Sequence, residues 1–345
     1  MYKKVISCTA AFVLLLTGCT FKKPEDSGAP PAPPFEALNE TVAGRKNVYL
    51  IVKNLESSYW KVVIEGAKDG GDDFGCNVFY SGSYSENDWH SQERLLGEAA
   101  DAGADAVLFS PNDSVMLAEK IDEIHEKGVK VILIDTIANT RNYDICYMTD
   151  NLIAGQNAAE EMLARLHERG IPETEELEIC IQVGASSSQT VSERLAGFKQ
   201  YWTENAPAAW EIVNDIRCNE GDAEVALDLA EDIIEDHKEK LKGVFGTNNG
   251  STVGFAKIVA DKHLTDITVV GFDYSEEMAS LIKSDEYDAS AMVQRQYQMS
   301  YGGVEEALKL IAGGSVEEKF VDTGVVVVNK KTLDDPEVKE ILKHS

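Results

Sequence analysis

Residues 47–75 read NVYLIVKNLESSYWKVVIEGAKDGGDDFG, and the change of pattern inside them decides the fold. NVYLIVK is a short run rich in β-branched and apolar residues and reads as a strand. After it the period lengthens: Trp60, Ile64, Ala67, Gly71 and Phe74 recur at helical spacing.

The same alternation continues outward. CNVFYS (76–81), DAVLFS (105–110) and KVILID (130–135) read as further strands, with helical stretches between them. One of these, SVMLAEKIDEIHEKG (114–128), sets Leu117, Ile121 and Ile124 on one face and stops at Gly128. A second series begins after CYMTDN (146–151), with strands at ELEICIQV (176–183), EIVNDIRC (211–218), GVFGTN (243–248) and ITVVGFD (267–273). Strands that alternate with helices imply parallel sheets with right-handed crossovers. Two series predict an α/β protein of two doubly wound parallel-sheet lobes. About 300 residues carry the pattern, enough for two domains of ~150 each.

Upstream, Lys3 and Lys4 precede a mainly apolar run that ends at Gly18. It is shorter than the ~20 residues a spanning helix needs, and it has the layout of a secretory signal peptide over 1–18. Leu16-Thr17-Gly18-Cys19 resembles the bacterial lipobox, in which the cysteine thiol carries diacylglycerol. An ordinary signal peptide with a chance cysteine is the alternative. Residues 19–45, with Pro30, Pro31, Pro33 and Pro34 close together, read as the lipidated cysteine and a flexible, solvated tether. This places the protein in the cell envelope, anchored to the outer face of a bacterial membrane.

Acidic residues number 60 against 32 basic, a formal charge of −28. Nucleic-acid binding rests on neutralising phosphates, so that class of partner is excluded; a direct contact with an anionic membrane surface is disfavoured as well. Cys76, Cys146, Cys180 and Cys218 stand singly and read as buried free thiols, with pairing after export as the alternative. There is no CxxC, Cys/His cluster, HExxH, Walker loop, GxGxxG turn or GxSxG elbow. No metal and no cofactor are expected.

In doubly wound sheets ligands bind at the carboxyl ends of strands. Those ends are Lys53-Asn54, Ser110-Pro111-Asn112-Asp113, Asp135-Thr136, Gly246-Thr247-Asn248 and Asp273, with Tyr59-Trp60 at the mouth of the first helix. Carboxylates and amides hydrogen-bond hydroxyl groups, at ~1.5–3 kcal/mol for each charged bond, and aromatic faces cover the C–H side of a sugar ring. The pattern suits polyol recognition. Each residue also has a plainer role: Asp135 and Asp273 as helix caps, Trp60 as core, Lys53 as the counter-charge of Asp135, and Arg194 as a surface charge.

The order of IVKNLESSYW, SPNDS, ILIDT, TDNLIAG, SERLAGF, FGTNN, VVGFD and MVQRQYQMSYGGVEEAL resembles the type 1 periplasmic sugar-binding proteins, the ribose/galactose-like receptors of ABC importers. The resemblance runs from Asn47 to about Asn329. It implies a monomer that closes around a sugar through a three-crossing hinge near Asp150, Gln294 and Asp322. The first lobe would be 46–150 plus 294–322, and the second 151–293 plus 323–345. Carried over by position, the ligand contacts would be Lys53, Ser57, Tyr59, Trp60, Ser110, Asp135 and Thr136 from the first lobe. Arg194, Asn248 and Asp273 would come from the second, and Gln294 from the hinge.

Some positions depart from ribose-type receptors. Lys53 replaces a small polar residue, Ser110 an asparagine and Thr136 an arginine, and Gly221 stands where an aromatic is usual. Gly221 would then leave room for a larger sugar, and Lys53 could meet an acidic substituent. The resemblance implies an ABC permease as partner and no enzymatic activity. A membrane sensor kinase is the alternative partner, and an exported glycosidase, with Asp135 and Asp273 as its carboxylate pair, is the rival class.

Overall fold

The computed structural model describes residues 32–186 and 188–344. The signal peptide, Cys19 and the start of the tether lie outside the described residues. In chain order the first series is β1 (Glu36–Ala37), β2 (Asn47–Val52), α1 (Ser58–Phe74), β3 (Asn77–Gly82), α2 (Trp89–Asp101), β4 (Ala106–Phe109), α3 (Ala118–Glu126), β5 (Lys130–Ile134) and β6 (Ile145–Met148). The second series opens with α4 (Asn151–Glu168), β7 (Leu177–Val183), α5 (Gln189–Asn205), β8 (Trp210–Ile212), β9 (Arg217–Cys218) and α6 (Ala223–His237). It continues with β10 (Leu241–Gly246), α7 (Asn249–Asp261), β11 (Thr268–Phe272), α8 (Glu276–Lys283) and β12 (Asp288–Gln294). The chain then returns through α9 (Gln296–Ile311) and β13 (Phe320–Asp322), and ends with β14 (Val325–Asn329) and α10 (Pro336–Ile341).

Two sheets result, one ordered β1-β3-β2-β4-β5-β6-β13 and the other β14-β12-β11-β10-β7-β8 with β9 also on β7. Pairing is parallel except at one edge of each sheet, where β1 meets β3 and β14 meets β12. Both sheets are covered on both faces, so their central strands are mainly apolar: LKGVFG and TVVGF have no exposed residue. This is the predicted two-lobed α/β fold.

The chain differs from expectation in three places. Residues 32–45 are not a free tether. Glu36 and Ala37 pair with Tyr80 and Phe79, Asn39 bonds the backbone of Cys76 and Val78 at 2.9 and 3.0 Å, and Phe35 packs edge-on against Tyr49 at 4.8 Å. An open sheet edge leaves backbone groups unpaired, and this stretch satisfies them. EIVNDIRC is not one strand either. It bends after Ile212, so β8 pairs the start of β7 and β9 its end. The stretches that form β12 and β14 complete the second sheet, although their sequences were not singled out as strands.

The chain crosses between the sheets beside Asp150, after Gln294 and beside Thr323. Asp150 accepts from the Ile153 N–H and so caps α4. Its own N–H donates to Asp322, whose carboxylate also accepts from Gly324. One carboxylate thus ties two of the crossings. The cysteines at 76, 146 and 180 are buried, Cys218 is half-buried, and all four are free thiols. No helix among the described residues is long and apolar enough to cross a membrane.

A carboxylate-lined cleft between the lobes

Where β5 and β11 end, each chain turns through an aspartate in the left-handed region: Asp135 at φ 64° and Asp273 at φ 71°. Few residues other than glycine adopt this conformation, and aspartate is among those that tolerate it. Each backbone N–H bonds the next strand, Asp135 to Tyr147 at 2.8 Å and Asp273 to Met292 at 3.0 Å. The two lobes therefore present the same device to one cleft. Lys53, Ser57, Tyr59, Trp60, Asp135, Arg194, Asn248, Asp273 and Gln294 all line it, around about 370 Å³ of empty space.

Ser110 and Thr136 are fully buried and stand behind the wall, not in it. Both donate to Asp135 Oδ2, at 3.3 and 2.6 Å. Tyr59 Oη donates to Oδ1 at 2.7 Å, and Lys53 Nζ lies 3.3 Å from Oδ2 while donating to Thr136 Oγ1 at 2.6 Å. Burial alone would raise the Asp135 carboxyl; Lys53, Arg194 and the hydroxyl donors outweigh it and hold it below the usual range. The Tyr59 phenol moves the other way, raised by its burial and by Asp135.

Arg194 is the centre of the second wall. Its Nε donates to Asn151 at 2.8 Å, one Nη to the Thr247 carbonyl at 2.9 Å and the other to Gln294 at 2.8 Å. Its guanidinium stacks on Phe272, 3.7 Å from the ring centre. It reaches this position because α4 and α5 touch backbone to backbone. A Cβ on Gly197 would lie 2.0 Å from the Leu152 carbonyl, and one on Gly155 would lie 2.2 Å from that of Arg194. Asp273 has less support: its Oδ1 accepts from Gln294 at 3.0 Å. Burial pushes its carboxyl up to about 6, against the pull of Arg194. Asn248 caps α7 through the Ser251 N–H at 3.1 Å.

The lobes meet across the cleft. Thr136 Oγ1 lies 2.8 Å from Thr190 Oγ1. The proton of Thr136 is committed to Asp135, so Thr190 is the donor. Ser57 reaches Asn249 at 3.5 Å. Gly221, at φ 77°, meets Glu86 of the opposite lobe so closely that a Cβ there would lie 2.7 Å from the Glu86 Cβ. Gly221 therefore opens no space for a larger sugar, because Glu86 fills it. Glu86, Ser188, Thr190, Val191 and Asn249 complete the lining and were missed in the sequence. The first four follow β3 and β7, whose endings SGSYSE and GASSSQT carry small residues before the functional ones, and Asn249 follows β10 beside Asn248. Reading those two strand ends as closely as the other five would have found these four.

A pair of doubly wound lobes with a polar cleft between their strand ends, held by a triple crossing, defines a periplasmic binding protein of type 1. Residues 48–315 match the model of the periplasmic binding protein domain, and the chain belongs to that family. The D-ribose/D-allose-binding protein of Pseudomonas aeruginosa is 23% identical over 308 residues, covering 86% of this chain and 92% of that protein. A ribose import binding protein of Bacillus subtilis is 23% identical over 330 residues, covering 95% of this chain and all of the other. Among solved structures, a carbohydrate transporter solute-binding protein of Agrobacterium radiobacter, in complex with D-arabinose, superposes with a TM-score of 0.81. It is 28% identical and covers 87% of this chain and 99% of its own.

Proposed function

We propose that this protein is a lipid-anchored receptor that captures a sugar between its lobes and delivers it to an ABC importer in the membrane. The observation that carries the reading is the shared wall: Tyr59, Trp60 and Asp135 from one lobe face Arg194, Asn248 and Asp273 from the other. A ligand that bonds both walls binds the closed form better than the open one, and that difference drives closure. Trp60 and Tyr59 pack edge to face at 4.9 Å and offer apolar surface beside the carboxylates, which suits a sugar ring. The names of the relatives, ribose, allose and arabinose binders, support the ligand class. Ribose itself fits less well, since Lys53 and Glu86 add charge to the cleft. The LTGC motif supports the anchor at Cys19.

A thermal-shift screen with monosaccharides, disaccharides, sugar acids and polyols tests the capture. A bound sugar raises the melting temperature by mass action, quenches or enhances Trp60 fluorescence and lowers the radius of gyration. Tight binding with no change in scattering, in a protein shown to start open, would refute capture by closure. Fractionation of a Cys19→Ser variant tests the anchor: release from membranes is expected, and retention would refute it.

A further inference from the structure

The cleft holds three carboxylates, Glu86, Asp135 and Asp273, and two cations, Lys53 and Arg194. Both cations are partly committed to the protein. Lys53 serves Asp135 and Thr136, and the Nε and both Nη atoms of Arg194 donate to Asn151, Thr247 and Gln294. Among the carboxylates only Asp135 has an ion pair among the described residues. Asp273 Oδ2 has no bonded partner there, and Glu86, which accepts from Trp60 and feels the charge of Lys53, makes no ion pair there. Ser188, buried at 3% exposure, also lines the cavity with no partner for its hydroxyl.

The cavity lining therefore carries one more carboxylate than cation. A neutral hydroxyl donates one hydrogen bond and accepts two, whereas an ammonium group donates three and accepts none. Enclosing three carboxylates with two cations is costly unless the ligand brings a counter-charge. Burial raises the carboxyl of Glu86, as it does that of Asp273. The groove outside the cavity continues the theme. It shares Ser57, Glu86, Asn248 and Asn249 with the cavity and adds Glu56, Asp222, Glu224, Glu276 and Glu277. Its cations are Lys61 and Lys257, the second paired with Glu277. An acidic approach attracts cations and repels sugar acids.

From this geometry we propose that the cleft selects a sugar bearing a basic amino group, with Glu86 as the specificity-determining carboxylate that receives it. The proposal rests on sugar capture as the function and narrows it. It also removes the acidic substituent as the partner of Lys53, since Lys53 is engaged by Asp135 and Thr136. Glu86 reaches its place because Gly221 on the facing lobe has no side chain, so the ammonium would be enclosed only when the lobes meet.

The test uses the full chain in detergent and calorimetry at pH 7 with matched sets: glucose, galactose and mannose, their 2-amino forms, and their N-acetylated forms. Acetylation keeps the nitrogen and removes its charge. At least one 2-amino sugar is expected to bind tenfold or more tighter than both its parent and its acetylated form. Glu86→Gln is expected to shrink that ratio at least fivefold, and Glu86→Asp to restore part of it. If the neutral sugars bind and no amino form gains, the inference is overturned while sugar capture stands. If neither neutral nor amino sugars bind, both fall. An amino preference that survives Glu86→Gln intact would remove Glu86 from the role.

Discussion

The ends of β5 and β11 carry the same residue in the same backbone conformation, and they are wired oppositely. Asp135 receives Tyr59, Ser110 and Thr136 as donors and Lys53 as counter-charge. Asp273 receives Gln294. Both are buried, at 6% and 4% exposure, so burial does not separate them. What separates them is the supply of donors, and their carboxyls respond in opposite directions, one held down and the other pushed up to about 6. A satisfied buried charge fixes structure, and an unsatisfied one waits for a ligand. On this comparison Asp135 is the anchor of the first wall and Asp273 the reaching group of the second.

The sharpest way to break the comparison is to remove each charge without changing the backbone preference, since asparagine also tolerates the left-handed region. Asp135→Asn leaves Lys53 buried without its counter-charge and turns an amide N–H toward donors. A loss of about 3–5 kcal/mol of stability is expected at pH 7, the usual result of breaking a buried pair. Adding Lys53→Met should recover part of it, and chemical denaturation of the four proteins in the cycle measures the coupling. If Asp135→Asn unfolds at the parent's midpoint, Asp135 is not an anchor.

Asp273→Asn should act with the opposite sign. The folded carboxyl is raised from 3.8 to about 6, so ionisation is harder in the folded chain than in the unfolded one. Its favourable share of stability is present below about pH 4, declines as pH rises to about 6, and is absent above that. An asparagine mimics the protonated form. The variant should gain roughly 3 kcal/mol at pH 7.5, by the cost of ~1.4 kcal/mol per pKa unit, and the gain should fade toward pH 4. The same change should weaken sugar binding by about 2 kcal/mol, because a charged acceptor is lost. Melting curves across pH 4–8 decide it: a destabilised variant at pH 7.5 would mean that Asp273, too, is structural.

This contrast sets the limit of what the sequence discloses. The strand-to-helix rhythm from Asn47 onward is periodic and local, so the two lobes are legible in it. Strand-end aspartates are legible for the same reason. Whether such an aspartate faces the ligand or is consumed by the wall depends on side chains distant in sequence, Ser110 and Lys53 among them, and no local pattern carries that. Ser110 and Thr136 look like ligand contacts in the strand endings, yet they are the donors that occupy Asp135. Residues 32–45 are misread for a related reason. Their place on the sheet comes from backbone pairing and from the Asn39 amide, which composition does not report.

The smallest expected effect lies where the two walls touch. Thr136 Oγ1 donates to Asp135 and accepts from Lys53 and Thr190, so its hydrogen-bonding capacity is full in the closed form. Opening the cleft breaks only the Thr190 bond and leaves the rest of the anchor in place. Thr190→Val keeps the shape of the side chain and removes that donor. The net worth of one neutral hydrogen bond is about 0.5–1.5 kcal/mol, and water can replace it on Thr136 when the lobes part. The cost therefore falls on closure and not on folding. Sugar affinity should drop roughly two- to tenfold at that energy, and the radius of gyration of the unliganded protein should shift toward the open value. The denaturation midpoint of the first lobe should stay within experimental spread, since Asp135 keeps Lys53, Tyr59, Ser110 and Thr136. A variant that loses affinity and stability together would join Thr190 to the anchor, and one that changes neither would show that the lobes close without this bond.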